Sequence, residues 1–85
     1  MFKQNAKVVN EMGIHAKAAS HIIKIATGYK SNIFIEYENK LINAKSIVSI
    51  LAAAIPEGSI VTISAEGVDE QEAVKQLVHT IEEDY

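Results

Sequence analysis

Phe2, Gln4, Ala6 and Val8 alternate with Lys3, Asn5, Lys7 and Val9, a period of two that predicts a strand with one moderately apolar face. The period then changes. Ala16, Ala19, Ile22, Ile23 and Ala26 recur at helical spacing among strong helix formers, predicting a helix over 16–27. Gly28 is placed to end it in the left-handed conformation. Ile33, Ile35 and Tyr37 alternate with Phe34 and Glu36 as a second strand. Glu38-Asn39 reads as a tight turn, since Asn accepts positive φ, into a short third strand over 40–43. A short helix over 46–54 follows and is stopped by Pro56 and Gly58. Val61, Ile63 and Ala65 share one face of a fourth strand over 60–65. Asp69 then stands as the N-cap of a final helix, with Glu72 three residues on as its capping-box partner. The core stripe of that helix is Ala73, Val74, Leu77, Val78 and Ile81.

The order is βαββαβα. It predicts an α+β domain in which one four-stranded antiparallel sheet carries three helices on one face. A ferredoxin-like split arrangement would use the same early elements, and pattern alone does not choose the strand order. The 85 residues make one domain, 1–85, large enough to close a core without staples. With 48% hydrophobic and 22% charged residues the chain is not of the disordered class. The absence of cysteine removes disulfides, thiolate zinc sites and cysteine nucleophiles together. Met1 to Asn5 lacks an apolar signal region, and the longest apolar stretch, residues 47–55, is interrupted by Ser49 and ends at Pro56. The expectation is a soluble cytoplasmic protein with no membrane contact. A net charge of −3 argues against general nucleic-acid binding. Its distribution says more. Lys17, His21, Lys24 and Lys45 fall in two segments, whereas Glu66, Asp69, Glu70, Glu72, Glu82, Glu83 and Asp84 lie elsewhere, a division that steers a small domain toward an oppositely charged partner.

The candidate chemistry lies in Gly13-Ile14-His15-Ala16-Lys17-Ala18-Ala19-Ser20. Asn10-Glu11-Met12-Gly13 reads as a loop, so His15 falls on or just before the first helical residue. The first N–H groups of a helix lack internal partners and, with the macrodipole, make an anion site. Lys17 adds a full positive charge. A titratable nucleophile beside an anion cradle suits a phosphoryl-accepting role, although a histidine near a helix start is also an ordinary surface residue. His15 and His21 are six apart and fall on different sides of a helix, so they are poor joint metal ligands. His79 reads as a plain surface residue. No glycine-rich nucleotide loop, paired carboxylates or general base is visible, and no metal or cofactor is expected. If His15 reacts, the driving group comes from another protein, which points to a carrier and not an enzyme. Ser46 begins the short middle helix, where serine serves as an N-cap. A phosphate on it would also be locally favoured.

Gly13-Ile14-His15-Ala16-Lys17-Ala18-Ala19 resembles the active-site motif of the HPr family, the histidine-containing phosphocarriers of the sugar phosphotransferase system, which usually reads Gly-(Leu/Ile)-His-Ala-Arg-Pro-(Ala/Ser/Thr). Asn43-Ala44-Lys45-Ser46-Ile47 is similar to the family's regulatory segment, and Ser64-Ala65-Glu66-Gly67 with the acidic helix after it to its C-terminal part. The resemblance implies strand order 1-4-2-3, an open-faced β-sandwich. It implies that His15 accepts phosphate from phosphoenolpyruvate by way of enzyme I and passes it to a sugar-specific enzyme IIA. The N–H groups of Ala16 and Lys17 and the Lys17 ammonium would hold the phosphate. Ser20, His21, Lys24, Ile47 and Val48 would form the partner-docking face. It further implies modification of Ser46 by HPr kinase/phosphorylase and a corepressor role with catabolite control protein A, with Ile47, Val48 and Leu51 partly forming an apolar patch and partly serving the core. Two positions depart from the pattern. Lys17 replaces arginine and loses its bidentate fork, and Ala18 replaces proline and loses its fixed φ, so carrier chemistry is expected to be retained but weakened. The alternatives are a regulatory adaptor acting mainly through Ser46, and a fold-alike with neither role.

Overall fold

In the computed structural model, which describes residues 1–83, the chain forms β1 (Phe2–Lys7), α1 (Ala16–Ala26), β2 (Asn32–Tyr37), β3 (Lys40–Asn43), α2 (Ile47–Ala53), β4 (Ile60–Glu66) and α3 (Glu70–Glu82). Asp84, counted above among the acidic residues, lies outside the described residues. The strands make one antiparallel sheet in the order β1-β4-β2-β3. The expected element order, fold class and strand order are all found.

Register follows from which residues must share the buried face. Phe2 and Ala6 of β1 pair with Ala65 and Val61 of β4, Ile33 and Ile35 of β2 with Ala65 and Ile63, and Ile35 with Ile42 of β3. Ala6, Ile33, Ile35, Ile42, Val61, Ile63 and Ala65 are all buried, under Ala18, Ala19, Ile22 and Ala26 of α1, Ile50 of α2 and the expected stripe of α3. A slip of one residue would turn every one of those strand side chains outward. The opposite face of the sheet mixes polar residues with Phe34, Leu41 and Ile60. Lys3 Nζ lies 3.3 Å from Glu36 Oε2 across it, and Thr62 Oγ1 donates to Asn5 Oδ1 at 2.9 Å.

Several local expectations are corrected. β1 ends at Lys7, though buried Val8 still donates to the Ser59 carbonyl at 2.9 Å. In α1 the apolar stripe is shifted at its start: Ala16 is exposed on the open first turn and Ala18 is buried instead. Gly28 does not take the left-handed conformation. Thr27 ends α1 at φ −70, its hydroxyl donating to the Ile23 and Lys24 carbonyls, while the Gly28 and Tyr29 N–H groups close tighter turns onto Ile25 and Ala26. Those bonds satisfy the last carbonyls without a left-handed residue. Conversely, α2 ends with Ala54 in the left-handed region at φ 48. The Glu38-Asn39 turn is as expected, both residues having positive φ (49 and 64).

The capping box expected at α3 is absent. Asp69 is the N-cap but makes no side-chain cap bond. Its carboxylate accepts instead from the N–H groups of Lys30 and Ser31, at 2.9 and 3.0 Å, and from the Ser31 hydroxyl. Glu70, not Glu72, reaches back, its carboxylate accepting from the Gly67 N–H at 3.1 Å. Gly67 makes this possible: its φ is +154, and a Cβ there would run into the backbone and side chain of Ser31. The β4–α3 loop and the start of β2 are thus clasped together.

Candidate functional site

Position 15 is set from both sides of the chain. Upstream, Asn10 folds the loop on itself: its Oδ1 accepts from the Met12 N–H at 3.0 Å and its carbonyl from Gly13 at 2.9 Å. Gly13 has φ +69 and lies so close to the chain at Ile55 and Pro56 that any Cβ would meet the Ile55 carbonyl oxygen. That close approach lets the Ile14 N–H donate to the same oxygen at 2.9 Å and sinks Ile14 into the core at 4% exposure. Downstream, buried Ala18 and Ala19 anchor the first turn of α1. His15 is therefore pinned between buried neighbours while its own side chain remains half-exposed.

His15 is the N-cap of α1, in extended conformation (φ −112, ψ −162), and its side chain makes no cap bond. Its carbonyl accepts the first helical bond, from the Ala19 N–H at 2.8 Å. The N–H groups of Ala16 and Lys17 precede that bond and have no acceptor in the helix. No acidic residue lies in the first turn, so α1 itself carries nothing there to offset the positive end of its dipole. Lys17 is exposed and makes no ion pair among the described residues. Immediately beneath, the space bounded by Val8, Asn10, Ala18, Ile22 and Thr80 is only about 10 Å³, too small for more than a single water. A reacting group must reach His15 from outside.

The other expected residues fall into two helices that contact one another. Lys17, Ser20, His21 and Lys24 are all exposed, and their spacing puts them along one side of α1. On α2, Ile47 (41%), Val48 (75%) and Leu51 (40%) are all exposed, while Ile50 is buried and Ala53 packs partly against the core. The division of that trio between patch and core is thus corrected: the phase of the short helix turns Ile50 and Ala53 to the core and leaves the trio outside. Ser46 is the N-cap of α2, its hydroxyl accepting from the Ser49 N–H at 3.3 Å. Lys45 is not a free surface cation, since its Nζ donates to the Tyr29 carbonyl at 2.9 Å and ties the start of α2 to the segment following α1. No group of His, Asp or Glu with metal-site geometry occurs among the described residues.

No local pattern signals that Gly13 and Ile14 press on the chain at Ile55 and Pro56, or that Asp69 reaches Ser31. Both are contacts over some forty positions between residues whose types suit a local turn or cap equally well.

A family model described as the PTS HPr component phosphorylation site matches residues 2–83. The HPr-like protein Crh of Halalkalibacterium halodurans is 38% identical over 84 residues, spanning 99% of this chain and 100% of that protein. Among solved structures, HPr-C-His from Thermoanaerobacter tengcongensis superposes with a TM-score of 0.92 at 40% identity, covering 96% of this chain and 92% of that one. Crh of Bacillus subtilis, described as a dimer with a swapping domain, gives 0.80 at 34% identity over 100% and 98%.

Proposed function

The chain belongs to the HPr family, and from that premise we propose that it carries a phosphoryl group on His15, received from enzyme I and handed to an enzyme IIA. The observation that carries this reading is His15 standing as an N-cap without a cap bond, at a helix end with open N–H donors and an exposed lysine that makes no ion pair among the described residues. In the transfer, the lone pair of the unprotonated ring nitrogen attacks the phosphorus presented by phosphorylated enzyme I. The N–P bond forms as the bond to the donor side chain breaks, and that electron pair leaves with the donor. The Ala16 and Lys17 N–H groups and the Lys17 ammonium receive the added negative charge. The reverse attack by an enzyme IIA side chain empties the site. The exposed face of Lys17, Ser20, His21 and Lys24 with the apolar patch of Ile47, Val48 and Leu51 suits docking of both partners in turn. The work takes place in the cytoplasm, and no helix among the described residues is long and apolar enough to cross a membrane.

Ser46 supports a second reading, as a regulatory adaptor. It caps α2, where a phosphate added by HPr kinase/phosphorylase meets the N–H end of the helix, beside apolar residues that would contact catabolite control protein A. The similarity to a protein described as HPr-like Crh favours weighing it. Incubation with enzyme I and phosphoenolpyruvate separates the two. The carrier gains acid-labile phosphate, and His15→Ala loses it while its stability changes by no more than about 0.5 kcal/mol. Undiminished labelling of His15→Ala would move the acceptor elsewhere, and no labelling of the wild type would leave the adaptor reading.

A further inference from the structure

Among the described residues, three other than glycine have positive φ. Glu38 and Asn39 make the hairpin turn between β2 and β3, whereas Ala54, at φ 48 and ψ 49, closes α2. A residue with a Cβ stays in that region only where its surroundings over-determine it, and such strain gathers at functional places. The surroundings of Ala54 are plain. Pro56 pushes the residue before it, Ile55, out of the helical region, so the chain leaves α2 at Ala54. Ala54 is exposed and Ile55 is buried, so what the turn fixes is the course of Ile55. The Ile55 carbonyl in turn accepts the Ile14 N–H at 2.9 Å, and Gly13 lies against that same oxygen. The strained turn at the end of α2 is therefore one hydrogen bond away from the residue that precedes His15.

On the carrier reading of His15 we propose that Ala54 and Ile55 are positioning residues for phosphoryl transfer: the left-handed turn aims the Ile55 carbonyl, and that carbonyl fixes the chain entering His15. Downstream, His15 is held by its own carbonyl, which accepts from the Ala19 N–H at 2.8 Å. Upstream, the bond from Ile14 to Ile55 does the corresponding work. A ring nitrogen attacking phosphorus has to lie in line with the bond that breaks, and about 1 Å of misplacement costs on the order of a hundredfold in rate. If Ala54 left the left-handed region, the Ile55 carbonyl would turn away from Ile14, and the backbone of His15 would be held by α1 alone. The arrangement also joins transfer to docking. Leu51, part of the exposed apolar patch, accepts the Ala54 N–H at 3.2 Å, so a partner pressing on that patch bears on the turn that holds His15.

The test measures kcat and KM for the carrier in phosphorylation by enzyme I and phosphoenolpyruvate, together with hydrogen exchange at the Ile14 amide. Ala54→Val places a β-branched residue where positive φ is all but forbidden. It is expected to lower kcat about tenfold and to leave KM within about twofold, since Lys17, Lys24, Ile47 and Val48 are untouched. Ile14 exchange quickens in the same variant. Glycine or asparagine at 54 in place of that valine restores both readings, because both accept the left-handed region. Gly13→Ala disturbs the contact from the other side with the same signature, and adding Ala54→Gly to it recovers part of the lost kcat by letting Ile55 withdraw. A valine variant as fast as the wild type overturns the inference, as does a change confined to KM or a fall in kcat with Ile14 exchange unaltered. If Ala54→Val fails to fold, the Gly13→Ala pair decides, and absence of recovery overturns the inference. A wild type that gains no acid-labile phosphate while its Ile14 amide stays protected removes the carrier reading, and this inference with it.

Discussion

Ala54 closes α2 at φ 48, ψ 49, with its N–H donating to the Leu51 carbonyl at 3.2 Å. The left-handed conformation costs a residue with a Cβ about 1–2 kcal/mol, and glycine adopts it freely. Ala54→Gly also loosens the unfolded chain, which takes back about 0.4–1 kcal/mol. The net expectation is a gain of about 0.5–1 kcal/mol, read as a higher urea midpoint with an unchanged slope. An unchanged or lower midpoint would mean that the left-handed turn is not strained. The strained residue was not visible in the sequence, because Ala54 is followed closely by Pro56 and Gly58, which suffice to stop a helix without it. His15 and Ser46 are the opposite case. Each sits where its letter and its neighbours placed it, since a cap position is decided within one turn of chain.

At the scale of elements, legibility divides between local pattern and long-range contact. The stripe Ala73, Val74, Leu77, Val78 and Ile81 was readable because burial of one helix face is written at a fixed spacing, and every member is buried. Asp69 is the N-cap that the sequence predicts, but its side-chain partners precede β2 and are not written in local pattern: the Ser31 hydroxyl, with the N–H groups of Lys30 and Ser31, holds its carboxyl below the usual carboxylate range. A carboxyl depressed in the folded state stabilises the fold above its unfolded value, about 3.9, and loses that contribution as pH falls through the folded value. Asp69→Asn therefore lowers the urea midpoint at pH 7, where the wild-type carboxylate is charged, and the gap between the two proteins narrows below about pH 4. Midpoints measured from pH 7 to pH 3 check this. A gap constant over that range would show that Asp69 acts through its shape and not its charge.

Across the whole molecule, α1 and α2 lie in contact, with the start of α2 at Lys45 held to Tyr29 after α1 and the loop before His15 held to Ile55 after α2. The sequence indicated this only through the charges its two motif segments share, and the structure changes which of those charges count. Lys45 is engaged with Tyr29, so the exposed cations on the two helices are Lys17 and Lys24. A partner drawn to them carries the opposite charge. Ser46→Asp keeps an oxygen acceptor at the α2 N-cap and so leaves the fold intact, but adds a negative charge to the face that partner approaches. The expected outcome is slower initial phosphorylation of His15 by enzyme I, since charge at an interface rim acts mainly on association rate. Two mechanisms are then separable by salt. Charge repulsion fades as the screening length falls from about 10 Å at 0.1 M to about 3 Å at 1 M, so the variant and the wild type converge. Disturbance of the apolar patch of Ile47 and Val48, adjacent to Ser46 on α2, persists at every ionic strength. Initial rates of both proteins over a salt series decide between them. Equal rates already at low salt would detach Ser46 from the docking face and leave it the cap of α2 alone.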